Sequence, residues 1–184
     1  MGVTMSRRKG THVIRTLRIP STMDEAIRRL AQERNTSVNA LAQASLTRLI
    51  EFDQFADELE FVSVRKIFLT KGLDYLTDDE IREFGEWTAT ESGAEMLEFY
   101  HSSSDIDSIL HIFETIISKY GKLFTFHHEM EGKVHVVTLN HKMGRKWSLF
   151  FDANLRTIFA KVGVDLKTEV RSNVVRGRFV ESPT

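Results

Sequence analysis

The chain has 184 residues, 41% of them hydrophobic, 28% charged and none of them cysteine, which suits one large or two small domains and excludes disulfides, thiolate metal sites and cysteine nucleophiles. No apolar run approaches the roughly 18 residues of a membrane span, and no charged-then-apolar leader marks export, so the expected location is the cytoplasm. The net charge of −1 conceals a basic head, +6 over residues 1–50, followed by −10 over 51–104 and +3 over 105–184, and a basic end on an otherwise acidic chain points to a polyanionic partner.

In chain order, residues 1–10 show no periodicity and carry Arg7, Arg8 and Lys9, which reads as a flexible basic arm. Residues 12–20 alternate as a strand, with Val13, Leu17 and Ile19 on one face and Ile14, Thr16 and Arg18 on the other. Pro20 has no N–H to donate and stops it. Ser21 is placed to cap a first helix, with Asp24 and Glu25 at its positive end and Met23, Ile27, Leu30 and Ala31 as its inner stripe. Asn35 tolerates the left-handed turn that ends this helix, and Ser37 opens a second one, running from Val38 through Leu41, Leu46 and Leu49 toward Phe52.

Residues 54–104 read as an acidic helical connector. One helix starts after Ser63, a second is opened by a capping box at residues 77–80, a short third covers 94–100, and three serines at 102–104 suggest a hinge. From Asp105 the order becomes α-β-β-α-β-β. A helix from Ile106 closes at Gly121, and strands over 123–129 and 134–140 turn at Glu131-Gly132. A helix carrying Trp147 closes at Gly163, and strands near 165–170 and 174–180 turn at Ser172-Asn173. The glycines lie 42 residues apart, which reads as an internal duplication of helix, glycine and hairpin. The expected fold class is α+β, and residues 105–184 are expected to be a sensory or oligomerisation domain.

A single strand beside two helices leaves its backbone donors and acceptors without partners. The simplest solution is the same strand of a second subunit, antiparallel across a two-fold axis. That ribbon would bury Leu17 and Ile19 on the helices and turn Ile14, Thr16 and Arg18 outward, with a width that fits the major groove of B-DNA. The strand ending Arg18-Ile19-Pro20, the helix with Met23, Ile27, Leu30 and Ala31, and the turn Asn35-Thr36-Ser37 before Val38-Asn39 come in an ordered set. Over residues 11–53 this set resembles the ribbon-helix-helix family of Arc-, MetJ- and CopG-like repressors. The resemblance implies a homodimeric, sequence-specific regulator of transcription that binds double-stranded DNA. It implies base contacts from Ile14, Thr16 and Arg18, and phosphate binding at the amides of Val38 and Asn39 behind Ser37. Arg7, Arg8, Lys9 and Arg15 would reach the DNA backbone. Two positions depart from the family pattern: Arg15 stands where an apolar residue is usual, and Ile14 replaces a polar reader.

In the last domain His127, His128, His135 and His141 cluster, with His101 and His111 upstream. A turn at Glu131-Gly132 would set His128 opposite His135, a pair able to hold a divalent metal if further ligands join it. The competing reading, hydrogen-bonded side chains on a sheet, is favoured, and no cofactor is expected. Nickel-responsive repressors share the architecture, but their cysteine ligand is missing. Gly144, Arg145 and Lys146 at a helix start form a candidate site for an anionic ligand, such as a small-molecule effector. No phosphate loop, HExxH motif or nucleophile elbow is present, so an enzyme is not expected. An antitoxin, with a DNA-binding head and a toxin-binding tail, is the main alternative.

Overall fold

Pro20 fixes φ at −61° and lacks a donor, so the first helix begins directly behind it. The computed structural model describes residues 13–100 and 105–180. The chain divides into two units, one ending at Phe61 and one beginning at Val62. In the first, α1 (Ser21–Glu33) is followed by a left-handed turn at Asn35, φ 49°, where the Thr36 amide bonds back to the Ala31 carbonyl. Ser37 then caps α2 (Val38–Arg48) by accepting the Ala40 amide at 3.0 Å. The helix widens into a π-helix (Leu49–Asp53) and ends in the short α3 (Gln54–Ala56), with Phe52 edge-on to Phe61 at 5.3 Å. One expectation is corrected here: the N-cap of α1 is Pro20, which offers no side-chain bond, and Ser21 is the first helical residue. Residues 13–20 join no ladder within the single chain, and the ribbon expected there takes its second strand from another subunit.

The second unit opens with three helices, α4 (Lys66–Asp74), α5 (Asp78–Thr90) and α6 (Ser92–Tyr100). The Thr77 capping box is present in full, with the Thr77 hydroxyl accepting the Glu80 amide and the Glu80 carboxylate accepting the Thr77 amide at 2.7 Å. The serine hinge lies outside the described residues. Next come α7 (Ile106–His111), capped by Asp105 and continuing as a π-helix (Ile112–Tyr120), then β1 (Thr125–Glu131), β2 (Val134–Asn140), α8 (Arg145–Lys161), β3 (Lys167–Arg171) and β4 (Val174–Val180). The four strands make one antiparallel sheet in the order β1-β2-β4-β3. The fold is α+β.

Helix α8 is the centre of this unit. Its Leu155, Ile158 and Phe159 are all buried, and Phe159 meets Phe179 of β4 at 5.0 Å between ring centroids. Phe151 meets Phe124 edge-on at 5.3 Å, and Phe124 stacks on Phe113 of the π-helix. The acidic helices, expected as a connector, pack on α8 as part of the same unit. Gly85 of α5 crosses so closely that a Cβ there would lie 2.5 Å from the Phe150 carbonyl and 3.0 Å from the Ala153 Cβ. Two lysines of α8 then close the ends of the outer helices. Lys146 donates to the carbonyls of Leu73, Asp74 and Leu76 at the end of α4 and just beyond it, and Lys161 donates to those of Ala89 and Thr90 at the end of α5. A cation at the negative end of a helix is favourable as well as satisfying its last carbonyls.

The α-β-β order recurs, but the two glycines are not equivalent. Gly163 takes the left-handed conformation after α8, φ 74°. After the π-helix that conformation falls on Lys122, φ 57°, and Gly121 serves a different need: a Cβ there would meet the Ile117 carbonyl at 2.9 Å. The hairpin register also differs from expectation. The turn is Gly132-Lys133, with Glu131 paired to Val134, so His128 lies opposite Val137 and His135 opposite Met130. Gly132 has φ 65°, which suits the first central position of a tight hairpin turn.

Candidate nucleic-acid interface

In the first unit the described residues expected to touch bases and phosphates fall on the segment before α1 and on the start of α2. Ile14 is 92% exposed, and Thr16, Arg15 and Arg18 are exposed beside it. Arg15 and Arg18 have no ion-pair partner among the described residues, whereas Arg28 is held by Asp24 at 2.7 Å and Arg48 by Asp53 at 2.9 Å. With Ser37 committed to the Ala40 amide, the amides of Val38 and Asn39 still lack an acceptor within the helix, as first-turn amides do. Arg7, Arg8 and Lys9 lie outside the described residues. Among the described residues the apolar side chains of this unit lie mostly open: Val13, Leu17, Met23, Leu46, Leu49 and Ile50 are exposed, while only Ala31 and Phe52 are buried.

In the second unit His128 and His135 do come together, diagonally across the hairpin. Their rings stack at 5.1 Å with Nε2 of His128 3.0 Å from Nδ1 of His135, and His135 stacks in turn on Phe179. One ring donates and the other accepts, so the two tautomers are complementary. Partial burial holds the His128 pKa below the usual imidazole range, assisted by His135, while Glu114 and Asp107 pull it the other way. Among the described residues no group of three or more His, Asp or Glu side chains forms a set that could hold a metal ion. The basic pair at the start of α8 is committed elsewhere. Arg145 binds Asp78 at 2.8 Å, Lys146 binds the three carbonyls at the end of α4, and the Gly144 amide donates to Asn173.

The chain matches no protein-family profile, no curated protein and no solved structure. The resemblance to ribbon-helix-helix repressors therefore rests on residues 11–53 themselves. Among the described residues no helix is long and apolar enough to cross a membrane.

One polar group that spacing alone does not reveal sits at the corner between β2 and α8. His141 is 2% exposed and its Nδ1 accepts the Met143 amide, which places the proton on Nε2, 2.9 Å from the Ser148 hydroxyl. Ser148 donates to the Arg171 carbonyl, and the His141 amide bonds the Asn173 carbonyl, so the corner is tied to the second hairpin turn. Burial, with Lys66 adding repulsion, pushes the His141 pKa down to about 4 from 6.5. Above pH 6.5 the imidazole is neutral in folded and unfolded chains alike. As pH falls toward 4, only the unfolded chain takes up the proton, so folding is weakened by roughly 3 kcal/mol in all, at about 1.4 kcal/mol per unit. His141→Asn is expected to lose stability at pH 7 yet lack this slope. Urea unfolding of both proteins between pH 7 and 4 reads the difference, and parallel curves would show that His141 is not the titrating group.

Proposed function

We propose that the chain is a homodimeric, sequence-specific DNA-binding regulator whose first unit reads the major groove with a two-stranded ribbon, residues 13–20 from each of two copies. The observation that carries this reading is the open apolar surface of the first unit. Val13 and Leu17 are 70% and 72% exposed on a segment whose backbone joins no ladder, and α1 and α2 leave Met23, Val38 and Leu46 exposed as well. A second copy supplies what is missing, a partner strand for the hydrogen bonds and two helices for the apolar faces. Such a ribbon turns Thr16, Arg18 and Ile14 toward the base edges and sets the Val38 and Asn39 amides against a phosphate on each side. Arg7, Arg8, Lys9 and Arg15 add backbone contacts, which place the protein at the nucleoid. The second unit acts as an effector or assembly domain. Its buried core of Val137, Leu139, Leu155, Phe159 and Val175 favours this over a toxin-wrapping tail, which would be ordered by its partner.

Arg18→Ala tests the reading. The expected cost is about 1–3 kcal/mol on the preferred operator, with a flattened base preference, because a bidentate arginine–guanine contact discriminates by that much. Selection from random duplex DNA followed by fluorescence anisotropy measures both. An unchanged base preference in the variant would remove the ribbon face from consideration as the reader.

A further inference from the structure

We propose that the outer edge of β1 is a self-association surface, on which two copies of the chain pair antiparallel through Thr125–Glu131 with His128 at the two-fold axis. The inference stands on the second unit alone and does not use the DNA reading.

Strand β1 ends the sheet, and among the described residues no strand pairs with its far side. The ladder to β2 closes with Glu131 against Val134 across a two-residue turn, so residues 125, 127, 129 and 131 direct their backbone groups at β2. Phe126, His128 and Met130 therefore direct theirs outward. The Phe126 amide agrees: it donates to the Ser118 hydroxyl at 3.1 Å, away from β2. The outward groups of His128 and Met130 are left for a partner, and Met130 is 52% exposed beside them. A seven-residue open edge carrying a large apolar side chain invites pairing.

Side-chain pairing selects the partner and the register. With His128 at the axis, His127 falls opposite Glu129 of the second copy, and Phe126 opposite its Met130, each contact occurring twice. Moving the axis to Met130 would set Glu129 against Glu131 of the second copy, and moving it to Phe126 would leave both Met130 and Glu129 unopposed. Glu131 is already engaged by Arg178 at 2.9 Å and Arg176 at 3.1 Å, but Glu129 has only a long contact of 3.7 Å to Arg176 and can turn to a second chain. The His128-centred register also puts the middle residue of the strand on the axis, with the Phe126 amide keeping its bond to Ser118. The opposite edge, β3, is only five residues long.

The chain has no cysteine, so an introduced one reports only its own neighbour. Directly opposed residues of an antiparallel pair have Cα atoms about 4.5–5.5 Å apart, within disulfide range. Full-length His128→Cys under mild oxidant is expected to give a disulfide-linked dimer, whereas Val170→Cys on the β3 edge stays uncrosslinked. Adding Met130→Pro should slow the crosslinking at least tenfold while the unfolding midpoint holds, because the Met130 amide serves no bond within the sheet. His128→Cys removes one ring of the histidine pair, so a second experiment leaves that pair intact. His127→Cys and Glu129→Cys proteins, refolded together and oxidised, should yield chiefly the mixed dimer, which mass spectrometry resolves. Folded His128→Cys protein that stays uncrosslinked, a crosslink at residue 170 instead, or a predominance of the two homodimers would each overturn the proposal. A cysteine at Thr16 reports the head ribbon separately, so the two associations fail or succeed independently.

Discussion

Leu41→Asp is expected to abolish the folded head and DNA binding together. Leu41 lies one turn into α2, half-buried, and its amide bonds the Ser37 carbonyl. On the proposed dimer it faces the core shared by two chains, together with Leu17, Ile19, Val38 and Leu46. A carboxylate there has no cationic partner, and burying an unpaired charge costs more than the marginal stability of so small a unit supplies. The second unit should retain its own unfolding transition, which makes the loss local. Sedimentation equilibrium, amide spectra of the first unit and duplex binding are measured on the same sample. A head that stays folded and monomeric would sink the shared-core reading, even with DNA binding gone.

Gly85→Leu is expected to destabilise the second unit by on the order of 3–5 kcal/mol. Extra core volume usually costs about 1–3 kcal/mol, because nearby side chains shift to make room. At Gly85 the nearest obstacle is a backbone carbonyl, that of Phe150 at 2.5 Å from the would-be Cβ, and a helix backbone does not step aside. Helix α5 must move off α8 instead, opening the contacts of Ile81 and Ala89 and the bond from Asn154 to the Gly85 carbonyl. Gly85→Ala meets the same carbonyl with one carbon and should fall between wild type and leucine. The measurement is denaturant unfolding followed by the near-ultraviolet signal of Trp147 and Trp87, and wild-type stability in Gly85→Leu would mean the close crossing does not form.

What could be read from the sequence was the part that local rules govern. Asn35 at a left-handed turn, Ser37 as a cap and Thr77 with Glu80 as a capping box are each decided within a few residues, and each stands where periodicity put it. The α-β-β-α-β-β order was legible for the same reason. The hairpin register was misplaced by one position, although Gly132 as the first turn residue carried the signal. The N-cap of α1 was assigned to Ser21 because serine is a common cap, but Pro20 already presets the backbone there. Long-range features left no trace in local spacing. Nothing near Lys146 or Lys161 announces that their ammonium groups close helices some 70 residues earlier, and nothing in Ser148 announces a buried histidine partner seven residues away, just past the end of β2. The strand over 12–20 is a case of a different kind, since its bonds on the proposed dimer belong to two molecules.

The lysine closures on α8 also set an order of events during synthesis. The carbonyls of Ala89 and Thr90 wait for Lys161, 72 and 71 residues downstream, and Gly85 has nothing to lie against until Phe150 and Ala153 have left the ribosome. At roughly 5–20 residues per second, the acidic helices spend several seconds emerged but undocked. The first unit has no such wait within its own chain: Phe52 finds Phe61 nine residues later. On the proposed dimer, neighbouring nascent heads on a polysome would meet while their tails are still being made, so pairing between chains from one message would precede completion of either monomer.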